Sequence, residues 1–161
     1  MKIRVRDLAT VGLPEEGIYK LDIEGGRSTE GVGKTSGNPY EKVTLNFRID
    51  KRDDGTELPH RPFVFEDFMV SYDWGLERFL NVYAEATGDL PDTGAIDPAT
   101  GEPSVDTSDL MEDLFGRSVW GIVLYDTEQR ADSGRYKLKL GRNFSSDPAR
   151  LRMPKRTSVA A

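Results

Sequence analysis

The stretch Lys42-Val43-Thr44-Leu45-Asn46-Phe47-Arg48-Ile49 decides the fold class. Val43, Leu45, Phe47 and Ile49 are apolar, while Lys42, Thr44, Asn46 and Arg48 between them are polar or basic. Successive side chains on a strand point to opposite faces, so this alternation is a half-buried β-strand with one face on a core and one on solvent. Asp53-Asp54-Gly55 supplies the turn after it.

Working outward, Tyr19, Leu21 and Ile23 alternate with Lys20 and Asp22 and predict an earlier strand that Gly25-Gly26 ends. Residues 25–38, rich in Gly, Ser and Thr, read as a mobile loop. Downstream, residues 63–70 carry apolar side chains on both faces and predict a third strand. Asp73 then caps a helix from Trp74 to about Thr87, because Leu76, Phe79, Leu80 and Tyr83 follow helical spacing and Gly88 stops it. Residues 89–113 hold eight acids, no base and three prolines and read as an acidic connector, with one or two helical turns over 108–115. Residues 119–125 and 136–140 are the last two strands. Tyr136, Leu138 and Leu140 face the core there, and Arg135, Lys137 and Lys139 share the other side.

Five strands with one amphipathic helix between the third and fourth is the order of the oligonucleotide-binding (OB) barrel, whose second and third strands and adjoining loops form the ligand surface. The expected fold is mainly β: a five-stranded OB-like barrel over residues 1–145 and a basic tail over 146–161. The length of 161 residues fits one domain. The absence of cysteine excludes disulfides, thiolate metal sites and a cysteine nucleophile, and is compatible with a reducing cytoplasm. With neither a signal-peptide pattern nor an apolar run of membrane-spanning length, the chain is expected to be soluble and cytoplasmic. Its charge of −6 is divided unevenly: from Arg135 onward there are eight basic side chains against the single acid Asp147. A basic surface on an otherwise acidic chain suits a polyanionic partner.

Two catalytic patterns fail. Gly31-Val32-Gly33-Lys34-Thr35 imitates the end of a phosphate-binding loop, yet Ser28 stands where the first glycine is required, and Pro39 and a strand follow where a helix should. His60, the single histidine, lies between Pro59 and Arg61-Pro62 with no nucleophile marked near it. Asp53-Asp54 and Glu66-Asp67 are adjacent acids that strand geometry sends to opposite faces, and they read as solvated side chains and not as a metal site. No cofactor, metal or catalytic residue is therefore expected.

What remains is a surface of bases and aromatics. Phe63, Phe65 and Phe68 give the third strand aromatics that can stack on bases, Lys42, Arg48, Arg135, Lys137 and Lys139 can follow a phosphate backbone, and Asn46 can hydrogen-bond. Arg27, Lys34 and Asn38 in the glycine-rich segment, and Tyr40 at the mouth of the next strand, complete the candidate set.

Gly17-Ile18-Tyr19, Lys34-Thr35-Ser36-Gly37-Asn38-Pro39, Phe65-Glu66-Asp67 and Leu114-Phe115-Gly116-Arg117 give a chain that resembles the bacteriophage early proteins with an OB barrel, a family of single-stranded DNA-binding and recombination-associated proteins. The resemblance spans residues 17–144. It implies non-enzymatic binding of single-stranded DNA, or RNA, in replication or recombination, with further phage replication proteins or a second copy of the chain as partners. The chain ends in a basic segment where an acidic recruiting tail would be looked for, which puts that mode of recruitment in doubt. The alternative from another class is a virion or assembly protein that uses a small β-barrel as a structural module.

Overall fold

The computed structural model describes residues 1, 2, 4, 8–89, 98–102 and 104–155. The chain is mainly β: β1 (Gly17–Val32), β2 (Pro39–Arg52), β3 (Phe63–Phe68), α1 (Asp73–Thr87), α2 (Thr107–Leu114), β4 (Ser118–Arg130) and β5 (Tyr136–Ser145). The strands form one antiparallel sheet in the order β3-β2-β1-β4-β5.

The period-two pattern of β2 does what it predicts. Val43, Leu45, Phe47 and Ile49 are fully buried, together with Tyr19, Leu21 and Ile23 of β1. Each such side chain contributes roughly 1.5–3 kcal/mol through the apolar surface it removes from water. Phe68 and Phe144 join them from the two ends of the sheet, and their rings meet at 6.3 Å. β4 is buried on both faces, because Ile122 and Leu124 pack outward against Leu151, just after the short 3-10 turn Pro148–Arg150. The first part of the basic tail is thus docked on the sheet, while residues 156–161 lie outside the described residues.

Four expectations change. Residues 25–32 are strand and not loop: β1 runs on to Val32 beside β2, which leaves only 33–38 as a turn. The pairing itself makes this strand, since Gly26 sits over the Thr44 carbonyl and Met111 of α2, where a Cβ would stand 2.6 Å from that oxygen. Asp73 is not the cap of α1; Tyr72 takes that position without a side-chain bond, and Asp73 is the first helical residue, where a negative charge suits the helix dipole. Gly88 ends the helix in the left-handed conformation, as its spacing predicts. Two helices and not one lie between β3 and β4: the turns expected over 108–115 are the eight-residue α2, capped by Asp106, whose carboxylate accepts from the Ser108 amide at 2.9 Å. Leu110, Met111 and Leu114 of α2 belong to the core.

The fourth concerns closure. The sheet remains open, since β3 and β5 are its two edges and are not paired with each other. Helix α1 lies across this gap. Its Phe79 packs edge-on against Phe68 of β3, and its Asn81 accepts from the Phe144 amide of β5 at 3.0 Å. Arg78 spans the gap itself, donating to Glu66 of β3 at 2.8 Å and to the Gly141 carbonyl of β5 at 3.0 Å.

Candidate nucleic-acid interface

The sheet has an inner face on the core and an outer face on solvent, and strand parity decides which residues share the outer one. On β3, Val64 and Phe68 turn inward, so Phe63, Phe65 and Asp67 turn outward. Across the ladder Arg48 pairs with Phe63, Asn46 with Phe65 and Thr44 with Asp67. On the other side of β2, Arg27 pairs with Thr44 and Gly31 with Tyr40. A bulge at Glu24, between the pairs Ile23↔Phe47 and Gly25↔Asn46, sets this parity. Arg27, Tyr40, Lys42, Asn46, Arg48, Phe63 and Phe65 therefore share one face of three strands.

The phenylalanines stay exposed. Phe63 is 43% and Phe65 65% accessible, their rings stack at 6.3 Å, and the Arg48 guanidinium lies 3.9 Å over the Phe63 ring. Phe68, by contrast, is core. Beyond β3 the outer face continues over the gap to β5 as a cleft of about 800 Å³, lined by Phe63, Phe65, Arg135, Tyr136, Lys137 and Lys139 among others. Five of the residues expected from sequence thus meet in one cleft.

The charges are partly spoken for. Arg48 donates to Glu24 at 2.6 Å and to the Arg61 carbonyl at 3.1 Å. Lys42 lies 3.7 Å from Asp67, and Arg135 is held by Ser133 at 3.2 Å. Among the described residues, Arg27, Lys34, Lys137 and Lys139 make no ion pair. Glu66 and Asp67 also border the cleft, but Arg78 answers the first and Lys42 the second. With those two pairs set aside, Arg135, Lys137 and Lys139 face Asp126 alone among the lining acids.

Glu66 was expected to be a solvated acid and is not. Strand parity puts it on the inner side with Val64 and Phe68, a signal its alternation already carried. Burial pushes its carboxyl above the ordinary carboxylate range, against the pull of the Arg78 guanidinium and a bond from the Leu140 amide. Arg78 itself lies over the rings of Phe68 and Phe144 at 5.0 and 5.4 Å. Sequence reasoning missed it, because its partners sit in two other elements.

Two expected residues stand apart. Lys34 and Asn38 occupy the tight turn that joins β1 to β2, closed by the Gly33 amide donating to the Asn38 carbonyl at 2.8 Å, and neither lines the cleft. Tyr40 is half-buried with its ring over Gly31, where a Cβ would come within 2.6 Å of the phenol oxygen. That ring shields bare backbone, as aromatics do opposite glycines in a sheet.

Among the described residues no group of three or more His, Cys, Asp or Glu could hold a metal ion, and no helix is long and apolar enough to cross a membrane. Compared with protein-family models, curated proteins and solved structures, the chain gives no match.

Proposed function

We propose that this protein binds single-stranded nucleic acid, without catalysis, on the outer face of β1–β3 and in the cleft between β3 and β5 of an OB-like barrel. The observation that carries this reading is the stacked, solvent-exposed pair Phe63 and Phe65, set between Arg27 and Arg48 on one side and Lys137 and Lys139 on the other. Large aromatic rings are seldom left in water without a partner to cover them, and a flat base covers them at roughly 1–3 kcal/mol each. The barrel reading is supported by the strand order, by α1 following β3, and by the bridging of the two edges through Arg78. In that arrangement the ligand lies on the second and third strands. The sequence resemblance described above supports a role in phage-type replication or recombination.

The test is a fluorescence-polarisation titration with a labelled single-stranded oligonucleotide at low and high salt. Binding should weaken steeply with salt as counterions are released. Phe65→Ala should lose about 1–3 kcal/mol of affinity with little change in melting temperature, because that ring is exposed and lies outside the buried core. The virion-assembly reading has one observation of its own: Val32, at the end of the long β1–β2 hairpin, is 63% exposed. An assembly module would show no salt-dependent oligonucleotide binding in the same titration.

A further inference from the structure

We infer that the pocket beside Phe65 selects bases bearing an exocyclic amino group, with Asp67 and Asn46 as its specificity residues. This rests on the single-strand reading above and asks what that surface can distinguish. The pocket, about 360 Å³, is lined by Gly26, Arg27, Thr44, Asn46, Phe65 and Asp67. That volume is at the small end of ligand sites.

Asp67 is out of place on a surface meant only for phosphates, which it would repel. A carboxylate there needs a hydrogen-bond donor, and in a nucleic-acid strand the nitrogen donors are on the bases. Its orientation is fixed: Oδ1 accepts from the buried Thr44 hydroxyl at 2.6 Å. Oδ2 lies 3.7 Å from the Lys42 ammonium, beyond hydrogen-bond length, and so keeps its accepting capacity. Asn46 stands next to Thr44 on the same face, and its amide makes no hydrogen bond among the described residues. Gly25 opposite it leaves that amide uncovered, since a side chain there would put its Cβ against Nδ2 at 3.6 Å.

A base stacked on Phe65 would bring its Watson–Crick edge to these two side chains. Cytosine and adenine present an amino group next to a ring nitrogen, so Oδ2 accepts from the amino group while the Asn46 amide donates to the ring nitrogen. Guanine offers its amino group beside a second N–H. Thymine and uracil present one N–H between two carbonyl oxygens, and those oxygens face the carboxylate as like partial charges. Discrimination here comes as much from the repelled base as from the accepted one.

The experiment compares oligo-dC with oligo-dT of equal length in the polarisation titration. The wild type should prefer oligo-dC by about 10-fold, the range one well-placed base contact supplies. In Asp67→Asn the Thr44 hydroxyl still requires an acceptor, so the amide nitrogen takes the place of Oδ2 and a donor faces the base; the preference should shift towards oligo-dT. Asn46→Ala, which removes no bond within the fold, should narrow the preference without moving the melting temperature. Equal affinity of the wild type for both oligonucleotides, or a preference unchanged in both variants, overturns the inference and leaves single-strand binding standing. If neither oligonucleotide binds, both readings are overturned.

Discussion

Glu66 is a carboxylate on the inner side of a strand, with an accessibility of 18% and Arg78 at 2.8 Å. Because burial raises its pKa, the folded chain holds its proton more tightly than the unfolded chain does. The stability linked to that proton is fully present below the ordinary carboxylate pKa and is lost as pH rises through the folded value. Glu66→Gln cannot titrate, so its melting temperature should match the wild type in acid and exceed it increasingly towards neutral pH. Asp113, lowered by the bond from the Tyr83 hydroxyl, has the opposite sign but is common to both proteins and cancels in the difference. Parallel thermal melts between about pH 3 and pH 7 measure this. A wild type that gains on the variant with rising pH would show that the attraction of Arg78 outweighs the burial.

At the scale of elements, α1 is the piece that relates the sheet's two edges, and Arg78 is its point of contact with both. A planar guanidinium can meet a carboxylate and a backbone carbonyl at once, which an ammonium cannot do with the same geometry. Arg78→Leu leaves Glu66 charged and unanswered in a mostly buried place and should destabilise the fold by about 3 kcal/mol. Arg78→Lys should fall between the two, and urea denaturation ranks all three. Equal midpoints would mean that the packing of Phe79 holds α1 without help. None of this was legible in the chain, where Arg78 is one base on an amphipathic helix and its partners lie 12 and 63 residues away. What was legible is what local pattern controls. The alternation of Val43 to Ile49 reports burial directly, and Gly88 marks a helix end by its left-handed conformation. The strand over residues 25–32 was hidden, because its glycines and hydroxyls carry no alternation and it is held by β2 alongside and Met111 beneath. Of the candidate site, the shared face of Lys42, Asn46 and Arg48 followed from parity, whereas the placing of Phe63 and Phe65 beside them needed the β2–β3 register. The pairing of Lys42 with Asp67 and of Arg48 with Glu24 depends on neighbours that only the folded sheet supplies.

At the scale of the whole molecule, an acidic chain of net charge −6 keeps a basic margin along β5. If nucleic acid crosses the cleft, Lys137 and Lys139 meet its phosphates and carry no sequence information. Reversing both to Glu should weaken binding about equally for every oligonucleotide and reduce the slope of log affinity against log salt by about 2. The fold should be untouched, since both side chains are exposed. Unchanged affinity would remove β5 from the interface and confine it to β1–β3.

The open gap between β3 and β5 also bears on what the protein does in a crowded solution. A sheet with free margins can recruit strands from other molecules and grow into fibres. Here the two margins face each other under one helix, β3 is only six residues long, and the Gly141 carbonyl is already taken by a side chain. Charged side chains at Lys137 and Lys139 stand beside the longer margin. The arrangement that leaves a cleft open to a ligand therefore also blunts the β3 and β5 margins as templates for further strands.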